Sequence, residues 1–180
     1  MDRAHVGVVG PGTASAAELD VARAVGRGLA ERGCVVLSGG LGGVMAAASQ
    51  GAAEAGGTVV GLLPGDDRTD GNRWLTVAVP TGLGEVRNAL LVRASDVVVA
   101  VGGSWGTLSE VALAVRTGVP VVAVGGWTVR AADGHEPGPP PDGGATAERL
   151  TAADPGRPAV HHVPDARAAL ALVDDVLGRR

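Results

Sequence analysis

The segment Asp96-Val-Val-Val-Ala-Val-Gly-Gly-Ser-Trp-Gly-Thr-Leu-Ser-Glu110 decides the fold of this 180-residue chain. Residues 96–101 are apolar without a break after the aspartate, which predicts a strand buried on both faces of a sheet. The glycines that follow predict a tight turn, and residues 107–116 have the spacing of a helix. A buried strand that leads through a glycine turn into a helix is the repeating unit of an α/β protein.

The same unit recurs along the chain. Short runs rich in valine alternate with stretches of helical spacing, and Ser15-Ala-Ala-Glu18 has the form of a capping box that opens the first helix. We therefore predict a single domain, residues 1–180, with a Rossmann-like, doubly wound α/β fold, a mainly parallel sheet and helices on both faces. The predicted strands are 4–9, 34–37, 58–63, 75–79, 96–101, 119–124 and 159–163, and the predicted helices are 15–31, 44–55, 84–94, 107–116 and 165–177.

Residues 130–158 depart from this pattern. They hold six of the eleven prolines of the chain and are rich in glycine and aspartate. Such a composition does not bury enough apolar surface to order a long segment firmly, so it predicts a mobile loop.

The composition excludes several classes of protein. Hydrophobic residues make up 46% and charged residues 19%, with a net charge of −4, which fits a folded domain and not a nucleic-acid-binding surface. The chain contains no lysine, so all 15 residues counted as lysine or arginine are arginine. This excludes a Schiff-base enzyme with pyridoxal phosphate, a lysine nucleophile and a P-loop NTPase.

Neither a metal site nor a membrane span is predicted. The single cysteine, Cys34, opens a predicted strand and belongs in the core, and His161 and His162 are strand neighbours that point to opposite faces. The aspartates at 66, 67 and 70 are typical of a solvated turn. No apolar stretch is long enough to cross a bilayer. We expect a cytoplasmic protein without metal or cofactor and without a nucleic-acid or membrane partner.

Glycine clusters after four predicted strands indicate where a ligand binds. Ligands of open parallel sheets bind beyond the carboxyl ends of the strands, where glycines let backbone N–H groups and helix N-termini approach an anion. The alternative is that these glycines only make tight turns. The clusters lie within residues 10–12, 39–43, 102–106 and 125–126.

The first cluster is similar to a dinucleotide-binding fingerprint. Gly10-Pro-Gly12-Thr-Ala-Ser15 matches it with serine in the last position. The fingerprint also requires an acidic residue after the second strand, where it holds the ribose. The second predicted strand runs instead into Ser38-Gly-Gly40, so the sequence does not favour NAD binding.

Two charged residues near the glycine clusters each have two interpretations. Glu110 lies one turn into a predicted helix and faces a ligand, or it closes a capping box formed by Thr107-Leu-Ser-Glu110. Arg87 falls in the first turn of another predicted helix, where the helix field disfavours a cation. It is either a solvated side chain or a partner of an anionic ligand.

The motifs in order resemble those of the LOG-like family, once labelled possible lysine decarboxylases. They are Ser38-Gly-Gly-Leu-Gly-Gly-Val-Met45, Arg87-Asn88 and the segment 102–110, and the resemblance spans about residues 6–124. The run Gly-Leu-Leu-Pro64 and the sequence Val-Gly-Gly103 are most similar to a bacterial subgroup and to molybdenum-cofactor carrier proteins. Val101 and Asn88 stand where the phosphoribohydrolases of the family usually have proline and lysine, which argues against cytokinin specificity.

The resemblance implies a function and a set of site residues. It implies hydrolysis of the N-glycosidic bond of a nucleoside 5′-monophosphate, with Arg87 and Glu110 as the catalytic pair. The alternative is a non-catalytic carrier or sensor of a nucleotide or phosphorylated pterin. It also implies a homodimer or homotetramer. The residues expected to bind the ligand or its phosphate are Gly12, Gly40, Gly43, Asn88, Gly102, Gly103, Ser104, Gly106 and Thr107.

Overall fold

The structure, a computed structural model, describes residues 3–134 and 160–179. It contains every strand and helix predicted above, with bounds that shift by at most two residues. One predicted helix, 84–94, divides into a 3₁₀ turn, Gly84–Val86, and a short α-helix. The strands are β1 His5–Val9, β2 Val35–Ser38, β3 Thr58–Leu63, β4 Val77–Pro80, β5 Val97–Val101, β6 Val121–Val124 and β7 Val160–Val163; the α-helices are α1 Ala16–Glu31, α2 Gly43–Glu54, α3 Arg87–Arg93, α4 Trp105–Arg116 and α5 Ala166–Val176.

The seven strands form one sheet in the order β4-β3-β2-β1-β5-β6-β7, and all six pairings are parallel. The chain starts at the centre, winds outward to β4, and returns to β5 beside β1. The point where the winding reverses therefore lies between β1 and β5, the position at which doubly wound folds bind their ligands. The predicted Rossmann-like fold is confirmed.

Successive side chains of the central strands pack on opposite faces, which explains their uninterrupted apolar sequences. Val6 and Val8 of β1 belong to a core with α1, α2 and α5, whereas Val9 belongs to a core with α3 and α4. The prediction of strands buried on both faces is wrong for β3, where every second residue is only half-buried. The reason is its position: β3 lies next to the edge strand β4, beyond the area that the helices cover fully.

Helices α1 and α2 touch through their backbones. A Cβ atom at Gly26 would overlap the Ala48 carbonyl oxygen, and one at Gly51 would overlap the Arg23 carbonyl oxygen. No side chain fits between the helices at these two points, so both positions require glycine. Ser15 opens α1 with the predicted capping box, since its hydroxyl accepts from the Glu18 amide and the Glu18 carboxylate accepts from the Ser15 amide.

The remaining sequence predictions have mixed outcomes. Residues 130–134 lie in irregular backbone with a turn, and the rest of the predicted 130–158 loop lies outside the described residues. Cys34 is fully buried, as predicted. The His161 side chain is buried while that of His162 is exposed, which confirms that they face opposite ways. Within the described ranges, no helix is long and apolar enough to cross a membrane.

Candidate functional site

The four glycine clusters come together at the carboxyl edge of the sheet. They follow β2, β1, β5 and β6, which are neighbours in this order. The clusters after β1 and β5 approach closely, because a Cβ atom at Gly10 would lie 2.5 Å from the Val101 carbonyl oxygen. The cluster after β2 also meets the one after β1, since the Val44 amide donates to the Pro11 carbonyl oxygen at 3.1 Å. The clusters thus line a single cleft at the switch point.

Residues 102–107, here called the glycine turn, comprise the connection that follows β5 and the first three residues of α4. Gly102 has φ +66°, a conformation that favours glycine. Ser104 caps α4: its Oγ accepts from the Thr107 amide at 3.1 Å and lies 2.9 Å from Thr107 Oγ1. The start of a helix has backbone N–H groups without helical partners, which in general favours an anion.

Two sequence interpretations of this turn are wrong. The cap of α4 is Ser104, which has extended backbone angles, and not Thr107, which already lies in the first turn of the helix. Glu110 is therefore the sixth helical residue, too far along to close a capping box. The interpretation of Glu110 as a member of a capping box is therefore wrong, and its carboxylate must have another role.

Glu110 contacts Arg87 in a buried pair. Glu110 is 6% exposed and Arg87 is 8% exposed, and Arg87 Nη1 lies 3.4 Å from Glu110 Oε1. The alternative of a solvated arginine is therefore wrong. Nη1 also donates to Asn88 Oδ1, and Asn88 Nδ2 donates to Ser109 Oγ at 3.3 Å. The pair and the amide form a polar cluster between α3 and α4, at the side of the glycine turn.

Arg87 also has unused hydrogen-bonding capacity. Its Nε atom is buried and finds no hydrogen-bond partner among the described residues. Its guanidinium lies against Gly39, where a Cβ atom would come within 2.7 Å of Nη2. Glycine at position 39 is thus what lets Arg87 reach the end of β2. Sequence reasoning did not select Gly39 as a site residue, although it lies in one of the four clusters.

The other predicted glycines play distinct parts. Gly43 has φ +59° and lies against the Pro11 and Gly12 carbonyl oxygens, which fixes the approach of α2 to β1. A Cβ atom at Gly12 would meet nothing within 4 Å, so this position faces open space. A Cβ atom at Gly40 would meet the Leu63 side chain, so Gly40 packs against β3.

Burial raises the pKa of Glu110 to about 7, although the nearby Arg87 guanidinium acts in the opposite direction. Removing the carboxylate from water penalises its charged form more than a single cation at 3.4 Å favours it. Glu110 therefore exchanges its proton near neutral pH. A carboxyl group with such a pKa in a cleft is a common feature of functional sites.

This pKa predicts a pH-dependent stability. An acid whose pKa is higher in the folded state contributes stability that is complete below its ordinary pKa of 4.5 and is lost as the pH rises through about 7. The loss between these values should be about 3 kcal/mol. Urea unfolding of the wild type and of Glu110→Gln at pH 5 and pH 8 measures it. We expect the variant to be more stable relative to the wild type at pH 8 than at pH 5; a difference independent of pH would contradict the raised pKa.

Two tryptophans lie at the glycine turn, one within it and one against it, and sequence reasoning did not select them. Trp105 begins α4 and is 79% exposed. Trp127, which follows β6, meets it edge to face with ring centroids 4.8 Å apart and an interplanar angle of 77°. The sequence contained a weak signal for this pair. The chain has three tryptophans and no phenylalanine or tyrosine, and one of the tryptophans lies inside the glycine turn.

Within the described residues, no group of three histidine, cysteine or acidic side chains is arranged to hold a metal ion. Asp67 caps the 3₁₀ turn Arg68–Asp70 by accepting from the Thr69 amide at 2.8 Å. The solvated-turn interpretation of this acidic stretch is thus confirmed.

An all-parallel sheet with glycine turns at its carboxyl edge defines a Rossmann-like protein. The chain belongs to the SLOG cluster4 family, whose sequence pattern matches residues 3–138. This confirms the LOG-like resemblance. An uncharacterised protein of Archaeoglobus fulgidus is 38% identical over 120 residues, which cover 67% of this chain and 79% of that protein.

Solved structures of molybdenum-cofactor proteins match nearly the whole chain. The molybdenum cofactor binding protein of the phototrophic bacterium Rippkaea orientalis is 32% identical, with a TM-score of 0.79 over 98% of this chain and 99% of that one. A structure of the molybdenum cofactor carrier protein of Chlamydomonas reinhardtii is 35% identical, with a TM-score of 0.77 over 98% of this chain and 99% of that one.

Proposed function

We propose that this protein binds and carries a phosphorylated small molecule of the pterin or nucleotide class. The main support for this proposal is the similarity, over nearly the full length, to solved molybdenum cofactor binding and carrier proteins. The sequence alone favoured hydrolysis over the carrier alternative; the comparison supports the carrier better.

The cleft provides the chemistry that such a ligand requires. The phosphate would lie at the glycine turn, where backbone N–H groups and the start of α4 favour an anion. Arg87 lies beside it with an unpaired Nε–H, and its planar guanidinium suits phosphate or a ring carbonyl. An anion or hydrogen-bond acceptor there would satisfy a buried donor that the protein itself leaves open.

A second candidate is hydrolysis of the N-glycosidic bond of a nucleoside 5′-monophosphate. The raised pKa of Glu110 favours it, because a carboxyl group near its pKa at neutral pH can both accept and return a proton. Its carboxylate form would stabilise an oxocarbenium-like transition state or orient a water molecule. Arg87 would then stabilise the departing base or bind the phosphate.

The experiment that tests the function separates binding from turnover. The full chain is titrated by calorimetry with AMP, GMP and dihydroneopterin monophosphate, and each mixture is then analysed by chromatography for free base and ribose 5-phosphate. Binding without products supports the carrier, and release of base with ribose 5-phosphate supports the hydrolase. Absence of binding to all three would contradict the proposed function.

A homo-oligomer in the cytoplasm stays a prediction. Exposed apolar side chains follow a helical spacing along the 3₁₀ turn and α3, namely Leu83, Val86 and Leu90. They make this surface the first place to look for contacts between copies of the chain.

A further inference from the structure

The most exposed large apolar side chain of the described residues stands at the glycine turn. Trp105 is 79% exposed, whereas tryptophan is on average among the more buried residue types. It is the residue between Ser104 and Gly106, so its ring rises from the turn that is to hold the phosphate. Leaving an indole in water at this point forgoes the stability that burial would give.

Trp105 is held in place by a second tryptophan. Trp127 packs its indole against the turn, since a Cβ atom at Gly103 would lie 3.0 Å from Trp127 Cδ1 and 3.2 Å from its Nε1. Trp127 meets Trp105 at 77° in an edge-to-face contact, the preferred geometry for two aromatic rings. A Cβ atom at position 103 would thus be tight against Trp127, which would have to shift slightly. The glycine there thus positions the aromatic pair as well as opening the turn.

Trp127 and Arg87 approach the turn from opposite sides. Trp127 follows β6, while Arg87 lies against Gly39 after β2, and β1 and β5 separate these two strands in the sheet. A ligand whose phosphate lies on the turn can therefore extend towards indole rings on one side or towards Arg87 and Glu110 on the other. The two directions offer different chemistry: stacking on one side, charge and hydrogen bonds on the other.

We propose that Trp105 and Trp127 form a subsite for the planar nitrogen heterocycle of the phosphorylated ligand, with the ring stacked on Trp105 and the phosphate at the glycine turn. The inference rests on the proposed function, because it needs a phosphorylated ligand in the cleft. Purines and pterins share the required chemistry, a flat π-system that stacks on an indole face.

A second copy of the chain is the other occupant that an exposed tryptophan suggests. The structure favours the ligand because both indoles contact the glycine turn itself: Trp105 is part of it and Trp127 packs on Gly103. Trp127 also lines a small cavity beside the turn together with Thr107 and Ala100. An interface tryptophan does not need to be anchored on the phosphate turn.

The test compares ring-bearing and ring-less ligands on the full chain. Wild type, Trp105→Ala and Trp105→Phe are titrated by calorimetry with GMP, dihydroneopterin monophosphate and ribose 5-phosphate. We expect Trp105→Ala to weaken binding of the two ring-bearing ligands by roughly tenfold or more, the scale of one lost base–aromatic stack, with ribose 5-phosphate unchanged. Trp105→Phe should restore most of the affinity. Whichever ring-bearing ligand binds more tightly identifies the source of the ring.

Two controls keep the outcomes apart. Val77→Ala removes another exposed apolar side chain, on the edge strand β4, and should change none of the three affinities. Ring-bearing ligands should also quench the fluorescence of the wild type, and this quenching should be largely lost in Trp105→Phe.

Two outcomes would overturn the subsite while the proposed function stands. One is equal weakening of the binding of all three ligands. The other is an altered oligomeric state of Trp105→Ala on a sizing column with unchanged ligand preference. If the wild type binds none of the three ligands, the proposed function fails and the subsite fails with it.

Discussion

Replacing Gly106 by aspartate should weaken binding of every phosphorylated ligand by roughly 100-fold, because two negative charges about 4 Å apart near a protein surface repel by several kcal/mol. Gly106 is the second residue of α4, and a Cβ atom there would meet only Ser104 Oγ, at 3.8 Å. The new carboxylate therefore has room. It would occupy the helix start at which we place the ligand phosphate.

The fold should tolerate this change. An acidic residue in the first turn of a helix is favourable by about 0.3–1 kcal/mol, and a helical glycine is about 1 kcal/mol less favourable than alanine. The matched control is Gly106→Asn, which has nearly the same shape without the charge. We expect thermal unfolding of both variants to match the wild type or exceed it, and calorimetry to show at least tenfold weaker binding for Asp than for Asn. Equal affinities of the two variants would remove the phosphate from this turn.

Glu110→Gln should distinguish the carrier from the hydrolase. Gln keeps the size of the side chain and resembles the protonated acid, which is the form that burial favours. Ligand binding should stay near that of the wild type. Any N-glycosidic turnover should fall by roughly 100-fold or more, because a group that acts on charge developing in the transition state contributes to turnover and not to ground-state binding.

The measurement is the rate of base release from a nucleoside monophosphate, with the dissociation constant determined on the same preparation. Asn88→Ala serves as a comparison, since it removes a neighbour of Arg87 but leaves the carboxyl group in place. Full turnover by a folded Glu110→Gln protein would exclude Glu110 as a catalytic residue. A wild type that binds the monophosphate and releases no base would leave the carrier as the function.

Much of the fold follows from the sequence because its signals are local. Five uninterrupted apolar residues in β5 and a glycine immediately after it are enough to predict a buried parallel strand that leads into a helix. The start of α4 shows the limit of such signals. Ser104 and Thr107 are both good caps, and only the extended backbone of Ser104 decides between them.

The site was predictable in its parts but not in its arrangement. The glycine clusters, Arg87 and Glu110 carry recognisable motifs, so they were selected from the sequence. The contact of Arg87 with Gly39 joins residues 48 positions apart, and that of Trp127 with Gly103 joins two strands of the sheet. Neither has a local pattern, because each depends on the order of the strands. The pKa of Glu110 depends in the same way on burial that only the assembled helices provide.

The direct backbone contact between α1 and α2 has a kinetic consequence. The N-termini of these helices lie near Gly12 and Gly43, and at Gly26 and Gly51 the two backbones meet without a side chain between them. This wall of the cleft should therefore keep its shape when a ligand binds, so little ordering entropy would be lost there. If the protein carries a ligand as proposed, we expect the rates of uptake and release to be governed by the opposite wall, where Trp127 packs on Gly103 and a side-chain rotation would suffice to change the shape.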